Sequence, residues 1–492
     1  MTAQELLAQI SDYCRQAGLA ESTFGRRAVN DGKLANRLRN GGRITTETVD
    51  RIQAFIDAHR RGLVSNRRMV SSNGSPATVW DASCLAGAPD ASPNTTPRPA
   101  MNDLVTHPPH VPQTQAAQDP QRNFRFFDNR QKYLLFVNTC SEKWVVASRV
   151  AQELVNIHPR PPSVRLFDAG IGDGTVLARV MRSMHDRFPA MSFYVVGKEI
   201  SLEDVRLTLQ KVPDRFVEHP ATVLVLTNLA YADAPWLHVR SVSAASSLVW
   251  HELALTGSTS ARFEEQITDL EPFLAANWKA GVSPKTGNPV YERPVVLVIY
   301  RDDHRFLLDP ILPHPGGTQA GYDLVIASQP YRSRSSLEFK ARRVIAPLAR
   351  ALGPGGRLVA IHSHGGDPGQ EIVQEMWPGD NPFIHDRYQI MKAVKQELGQ
   401  AGRELNFNVN SDNRAFFRYD MHTLPSEVDG AIGTSTLFAA WNAAIYVAQV
   451  EDDRLAGVVG GSRYLDVTRE VLHRHGGLWF FDESYVISRR RP

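Results

Sequence analysis

The sequence lacks the features of several common protein classes. Its only cysteines, Cys14, Cys84 and Cys140, include no CxxC pair, so neither a disulfide framework nor a thiolate zinc site is expected. No apolar run approaches the roughly 20 residues that span a bilayer. The first residues carry acids and polar side chains at helical spacing, unlike a secretory signal. We therefore expect a cytoplasmic protein with no membrane span.

A strong charge of one sign is also missing. The formal net charge is +3 over 492 residues, which by itself indicates neither a nucleic acid nor a membrane partner. Hydrophobic residues make up 42% and charged residues 22%, as in soluble globular proteins. The length exceeds that of one ordinary domain, so local patterns have to define the domains and their function.

One segment, residues 61–122, is rich in proline and small polar residues and poor in large apolar ones. Such a composition cannot bury enough surface to offset its ordering entropy, which predicts a mostly disordered linker. The linker separates a small all-α amino-terminal unit, residues 1–60, from a body at residues 123–492. Within the body we expect an insert at about 232–320 and a carboxyl-terminal extension at about 366–492.

Short apolar segments alternate with helical patterns along the body. The segments are rich in Val, Ile and Leu almost throughout, which is typical of strands buried on both faces of a parallel sheet. The strand candidates are residues 164–170, 192–199, 221–228, 294–300, 322–328 and 357–363. This alternation predicts an α/β fold with a doubly wound, mostly parallel sheet, in which ligands bind at the carboxyl ends of the strands.

A glycine-rich turn follows the first strand candidate. Asp168, Gly170, Gly172 and Gly174 form D-x-G-x-G-x-G, whereas the dinucleotide fingerprint G-x-G-x-x-G spaces its last glycine differently. Glycines permit positive φ and let a ligand approach the backbone. Asp173 adds a carboxylate that would repel a diphosphate and attract an ammonium group. A zwitterionic or cationic ligand therefore suits this loop best.

The turn resembles motif I of the class I S-adenosylmethionine-dependent methyltransferases, and the resemblance covers about residues 130–365. It implies a Rossmann-like methyltransferase sheet, S-adenosyl-L-methionine as cofactor, and an acid after the second strand that accepts the ribose hydroxyls, where Glu199 stands. It also suggests Asn228 near the adenine, although Asn228 could equally cap the next helix. The expected cofactor-binding residues are Asp168, Gly170, Ile171, Gly172, Asp173, Gly174, Thr175, Glu199 and Asn228.

The loop after the fourth strand contains Ser328, Gln329, Pro330 and Tyr331. It resembles the [DNS]-P-P-[YF] motif of methyltransferases that act on exocyclic amines of bases or on glutamine amides, but Gln329 replaces the first proline. The resemblance implies that these four residues form the catalytic loop: they align the acceptor nitrogen with the methyl group, and Tyr331 stacks on a planar substrate. The alternative is an ordinary turn with a packed tyrosine.

Two histidines, His362 and His364, follow the fifth strand candidate near Asp367. A metal site would need a further ligand such as His385, and no convincing set is visible, so we expect no metal. His362 and His364 remain candidates for substrate binding or general-base work. The alternative is that they are satisfied structural histidines.

The amino-terminal unit resembles a λ-repressor-like helix-turn-helix module, with helices at about 22–29 and 32–40 and a packing helix from Thr45 or Thr46. Residues 22–43 hold six basic side chains against one acid, which suits contacts with phosphates. Arg37 and Arg39 are the candidates for DNA contact. A helical docking unit for another protein is the alternative.

These patterns together predict an S-adenosylmethionine-dependent methyltransferase with a tethered helix-turn-helix module. The methyl acceptor and the oligomeric state stay open, and the partners expected are the acceptor and DNA through residues 22–43. The alternatives are a DNA-binding transcription regulator that senses the cofactor without turnover, a nucleic-acid base methyltransferase, and an enzyme that uses the cofactor for other chemistry.

Overall fold

The chain divides into two compact units, residues 1–112 and 113–492. The computed structural model describes residues 3–17, 21–29, 31, 33–39, 48–49, 52–53, 55–56, 130–283, 289–317, 320–423, 427 and 432–491. The predicted linker at 61–122 lies outside these residues. Among them, no helix is long and apolar enough to cross a membrane.

The amino-terminal unit contains helices α1 (Ala3–Ala17), α2 (Glu21–Val29) and α3 (Leu34–Arg39). Apolar side chains at helical spacing form its core: Leu6, Ile10, Tyr13, Cys14, Phe24, Ala28, Leu34, Leu38, Ile52 and Ile56. Most of the packing helix predicted from Thr45 or Thr46 falls outside the described residues. Arg37 forms an ion pair with Asp31 at 2.8 Å, and Arg39 forms one with Glu21 at 2.5 Å, so both predicted DNA contacts have intramolecular partners.

The second unit is built around one large sheet. Its strands are β1 (Ser163–Asp168), β2 (Ser192–Lys198), β3 (Thr222–Thr227), β4 (Val249–Leu255), β7 (Val295–Arg301), β8 (Tyr322–Ser328), β9 (Leu352–Ser363), β10 (Leu405–Asn408), β11 (Phe416–Asp420) and β12 (Trp479–Arg489), and a separate hairpin joins β5 (Ala280–Val282) to β6 (Pro289–Tyr291). The strand order is β10-β12-β9-β8-β1-β2-β3-β7-β4, with β11 beside β12.

Helices cover both faces of the sheet. They are α4 (Arg130–Thr139), α5 (Glu142–Ala151), α6 (Thr175–Arg187), α7 (Leu202–Lys211), α8 (Pro213–Glu218), α9 (Val242–Ala245), α10 (Ser260–Thr268), α11 (Glu271–Asn277), α12 (Arg305–Leu308), α13 (Leu337–Phe339), α14 (Ala346–Arg350), α15 (Pro368–Met376), α16 (Arg387–Leu398), α17 (Asp412–Ala415), α18 (Thr434–Val447), α19 (Asp452–Ala456) and α20 (Arg463–His475). A π-helical segment, Lys340–Ile345, joins α13 to α14.

The central strands are apolar because both of their faces are buried. Along β1, Leu166 packs into one hydrophobic cluster and Phe167 into another, as successive side chains of a strand point to opposite faces. The neighbours β8, β1, β2 and β3 run parallel, and β9 runs parallel to β8. The expected α/β fold with a doubly wound, mostly parallel sheet is confirmed.

The insert and the extension complete the same sheet. Residues 294–300, which look like another parallel strand, form β7 antiparallel to β3, and β4 pairs parallel with β7 at that edge. The carboxyl-terminal β12 lies antiparallel to β9. A third apolar cluster, made largely by α4, α15, α18 and α20, packs beside this end of the sheet.

Candidate functional site

The order in which the strands were added to the sheet changes direction between β1 and β8. From β1 the chain builds outward through β2 and β3 on one side, and later through β8 and β9 on the other. Such a switch in direction leaves a gap outside the carboxyl ends of the strands, where open α/β sheets bind ligands. The glycine loop after β1, Glu199 after β2 and the Ser328–Tyr331 loop after β8 all lie at this edge.

The glycine loop requires glycine at two positions. Gly172 has φ +51°, and a Cβ there would lie 2.9 Å from the Tyr133 hydroxyl. Gly174 has φ +78°, and its Cβ would lie 2.8 Å from the Thr208 Cα. A left-handed backbone conformation favours glycine. The close contacts with Tyr133 and Thr208 are a second reason why these two positions need glycine. The amide of Ile171 donates to the Lys198 carbonyl at 3.1 Å, which ties the loop to the end of β2.

Gly170 differs from its neighbours because a Cβ on it would meet no described atom within 4 Å. It therefore faces open space beside Asp168, which is only 1% exposed. Asp168 Oδ1 accepts a hydrogen bond from the Gly170 amide at 3.2 Å. Burial, and then the nearby Glu199 carboxylate, raises the pKa of Asp168 to about 7, and the Gly170 amide and Lys143 offset only part of this.

Glu199 is half-buried at the end of β2 and already oriented by the backbone. Its Oε2 accepts from the Gly172 amide at 3.1 Å, and its Oε1 accepts from the amides of Ile200 at 2.7 Å and Ser201 at 3.0 Å. The Trp278 indole donates a hydrogen bond to the main-chain carbonyl of Glu199 at 3.2 Å. The carboxylate can therefore accept hydrogen bonds from a ligand without first ordering its own side chain.

Asp173 makes internal contacts. Its carboxylate accepts from Lys211 Nζ at 2.7 Å, from Thr175 Oγ1 at 2.5 Å and from the Tyr133 hydroxyl at 3.2 Å. Burial alone would raise the pKa of Asp173, but Lys143, Lys211 and Thr175 outweigh it and the pKa is lowered. The side chain therefore fixes the loop and the start of α6, and its direct attraction for a ligand ammonium stays a prediction.

Two charged residues of this site were not found from the sequence. Lys143 of α5 forms an ion pair with Glu142 at 3.1 Å and lies near enough to Asp168 and Asp173 to affect their pKa values. Asp204 of α7 follows the Ser201 helix cap, and burial together with Glu199 raises its pKa to about 7. Neither residue belongs to a recognisable motif, so only the fold reveals them.

The Asn228 side chain forms hydrogen bonds with the backbone at the start of β7. Its Nδ2 donates to the Arg293 carbonyl at 2.8 Å, and its Oδ1 accepts from the Val295 amide at 2.8 Å. The side chain therefore anchors the start of β7 beside β3 rather than capping a helix. Its predicted contact with an adenine stays a prediction.

The loop after β8 is held from several directions. Gln329 has φ +47°, and its Nε2 donates to Ser363 Oγ at 3.1 Å and to Asp482 Oδ1 at 3.2 Å. The Pro330 carbonyl accepts from the Tyr231 hydroxyl at 2.8 Å. Ser328 is half-buried beside this tethered residue. These contacts therefore hold the loop in a fixed shape at the carboxyl end of β8.

Tyr331 and His362 face inward. Tyr331 is 5% exposed, and its hydroxyl lies 3.2 Å from His362 Nδ1. His362 Nε2 lies 3.1 Å from Glu483, and burial lowers the pKa of His362. The His364 ring packs against Phe416 with centroids 4.5 Å apart. These contacts match the alternative that His362 and His364 are satisfied structural histidines and that Tyr331 is a packed tyrosine in a turn. Contact of the three residues with a substrate stays a prediction.

No protein-family model and no curated protein matches the chain. Among solved structures, it is similar to a geranyl diphosphate methyltransferase bound to GPP and sinefungin, with 13% identity, 70% of this chain and 78% of that chain covered, and a TM-score of 0.27. It is also similar to a loganic acid methyltransferase with SAH, at 9% identity, with 75% of this chain and 97% of that chain covered and a TM-score of 0.25. An uncharacterised protein from Burkholderia thailandensis is 9% identical, with 73% of this chain and 80% of that chain covered and a TM-score of 0.24. Values this low support no conclusion about activity.

Proposed function

We propose that this protein is an S-adenosylmethionine-dependent methyltransferase. The observation that carries the proposal is that the buried Asp168 carboxylate lies two residues before Gly170, where a Cβ would meet no described atom within 4 Å. A buried carboxylate is unfavourable unless a cation or hydrogen-bond donors satisfy it, and no described Lys or Arg forms an ion pair with Asp168. A ligand that brings an ammonium group to this crevice would relieve that cost.

The chain's residues fit the parts of this cofactor. Gly170 leaves room for a ligand against the backbone, where any side chain would fill the space. Asp168, one side of that space, suits the methionyl ammonium, and Lys143 suits the methionyl carboxylate. Glu199, held by three amides, suits the two ribose hydroxyls. When bound, the cofactor supplies an electrophilic methyl group and its own leaving group.

The protein then has to hold an acceptor in line with that methyl group and keep water away. The loop of Ser328, Gln329 and Pro330 stands across the crevice from the glycine loop, because β8 neighbours β1. Tyr231 joins the loop after β3 to the loop after β8 through Pro330 and so bounds the crevice. The rigid tether of Gln329 supports a fixed acceptor position.

Calorimetric titration of the full chain with S-adenosylhomocysteine tests the cofactor assignment. We expect saturable 1:1 binding that is weakened in Asp168→Asn and in Glu199→Gln. A matched control is Asp323→Asn, because burial also raises the pKa of Asp323, which is half-buried at the opposite end of β8. Absence of binding by the parent chain would contradict the proposal.

We also propose that the protein works in the cytoplasm and that its domain limits are 1–60, 61–122 and 123–492. A separate proposal is that the amino-terminal helices contact DNA. What supports the DNA contact is that Arg37 and Arg39 are about half exposed, at 48% and 50%, although each has an acidic neighbour. Electrophoretic shifts of a random duplex, measured at two salt concentrations, test it. A double Arg37→Ala, Arg39→Ala variant that shifts the duplex as the parent does would contradict it.

A further inference from the structure

A second buried carboxylate, Asp482, lies at the same edge of the sheet. Because β12 runs antiparallel to β9, Asp482 pairs in register with Ser363, the last residue of β9. Asp482 therefore contacts the loop after β8 through Gln329, although β12 lies three strands along the sheet from β1, which carries Asp168. Asp482 is 0% exposed, and nothing in the sequence singles it out.

Gln329, in the loop after β8, forms a hydrogen bond with this carboxylate. Its Nε2 donates to Asp482 Oδ1 at 3.2 Å, and its Oε1 accepts from the Ser363 amide at 3.3 Å. Its backbone is in the left-handed region with φ +47°, which a non-glycine residue adopts at a cost when surrounding contacts enforce it. The residue that replaces proline in the loop motif therefore positions Asp482 relative to Ser328.

The other oxygen of Asp482 is unsatisfied. Oδ2 is buried without a hydrogen-bond partner among the residues that the structure describes. The charged groups that act on it come from α5, namely Glu142 and Lys143, and from Asp367 at the start of α15. Lys143 also lowers the pKa of Asp168, so this one ammonium acts on both carboxylates. Burial, and then Glu142, raises the pKa of Asp482 well above its ordinary value.

This environment favours a compact cationic acceptor over a planar base. An approaching ammonium group favours the charged form of Asp482, which can then accept a proton, whereas the phosphates of a nucleic acid would be repelled by that charge. Tyr331 cannot stack on a base while its ring is buried and its hydroxyl lies 3.2 Å from His362. An ammonium donor would satisfy Asp482 Oδ2 and place its nitrogen beside the Gln329 loop.

We propose, on the basis of the methyltransferase function above, that the acceptor is an aliphatic amine that arrives as an ammonium and passes a proton to Asp482. The freed nitrogen lone pair then forms a bond to the methyl carbon of S-adenosylmethionine as the carbon–sulfur bond breaks. The electron pair of that bond stays on sulfur, which leaves neutral S-adenosylhomocysteine. The product is the methylated ammonium, and its positive charge balances the charge lost by the sulfonium.

Methyl-tritiated S-adenosylmethionine and cell extract test the acceptor class. One half of the extract is first acetylated so that its aliphatic amines are blocked. We expect the full chain to label the untreated half and to lose at least nine-tenths of that label in the acetylated half. Label that persists after acetylation overturns the amine proposal and leaves the methyltransferase proposal intact. Absence of label from both halves contradicts the methyltransferase proposal and the amine proposal with it.

Asp482→Asn tests the residue. Asparagine keeps the size of the side chain and an oxygen for Gln329 but cannot take the proton, so we expect transfer to fall by about 100-fold or more. Binding of S-adenosylhomocysteine should change less than threefold, which separates this role from cofactor binding and from misfolding. Asp482→Glu should recover part of the rate, and the half-buried control Asp323→Asn should transfer like the parent. Unchanged transfer by Asp482→Asn overturns the assignment.

Discussion

The amide of Gly172 donates a hydrogen bond to Glu199 Oε2 across 3.1 Å. This bond joins the loop after β1 to the end of β2, so these two segments are fixed relative to each other. The same carboxylate accepts from the Ile200 and Ser201 amides. The site is therefore organised by its backbone before a ligand binds.

Replacing Glu199 tests its expected contact with the ribose. Glu199→Gln keeps the length of the side chain but removes the charge that strengthens two hydrogen bonds to hydroxyl donors. We expect the affinity for S-adenosylhomocysteine, measured by calorimetry, to fall about 10- to 100-fold. Glu203→Gln, in the first turn of α7, is the matched control and should bind like the parent. Equal affinity of Glu199→Gln and parent would remove Glu199 from the site.

Gly170 and Gly174 should respond differently to added side chains. A Cβ at Gly170 would meet no described atom within 4 Å, so we expect Gly170→Val to keep a melting temperature near that of the parent while cofactor binding is lost. Gly174→Ala forces a Cβ against the Thr208 main chain at positive φ, so it should destabilise the fold by roughly 1–3 kcal/mol. Thermal melts and calorimetry on both variants check this. A Gly170→Val protein that binds normally would show that no ligand occupies this space.

Asp168 predicts a characteristic dependence of stability on pH. Its folded pKa of about 7 exceeds the ordinary value of 3.8, so its neutral form stabilises the fold below pH 4 and that contribution is lost as the pH rises through 7. Asp168→Asn should therefore be more stable than the parent at pH 8, by on the order of a few kcal/mol, and about equal at pH 4. Denaturant unfolding at both pH values measures this difference. A variant that is less stable at pH 8 would contradict the buried, uncompensated carboxylate.

Tyr133 of α4 supports the glycine loop from outside. Its hydroxyl accepts from the Asp173 amide at 3.0 Å and donates to Asp173 Oδ1 at 3.2 Å. Tyr133→Phe leaves that buried amide without its partner, which should cost about 1–3 kcal/mol of folding free energy and weaken cofactor binding several-fold. Phe136→Leu, a change in the same helix that does not touch the loop, should lower stability without changing affinity once the protein is folded.

The parts that sequence predicted best are those with short, local signals. The parallel strands β1, β2, β3, β8 and β9 are mostly apolar because both of their faces are largely buried, and the glycine spacing located the loop at their edge. The direction of β7 was not predictable, because an antiparallel strand buried on both faces has the same composition as a parallel one.

Contacts between distant segments could not be predicted. Asp482 is 153 residues from Gln329 in the chain, and their hydrogen bond depends on β12 pairing beside β9. The contacts of Asn228 with Arg293 and Val295, and of Tyr331 with His362, likewise arise from the order of strands and the packing of the loops. Residue type alone indicated polar function at Gln329, Asn228 and Tyr331 but not at Asp482, and only the fold shows which groups each side chain contacts.

The most direct test of the proposed function is a crystal structure of the full chain with S-adenosylhomocysteine. We predict that the ribose hydroxyls lie within hydrogen-bond distance of the Glu199 carboxylate, with the amino group of the ligand beside Asp168 and its chain passing over Gly170. A ligand bound elsewhere, or a crevice that stays empty at saturating concentration, would contradict the account.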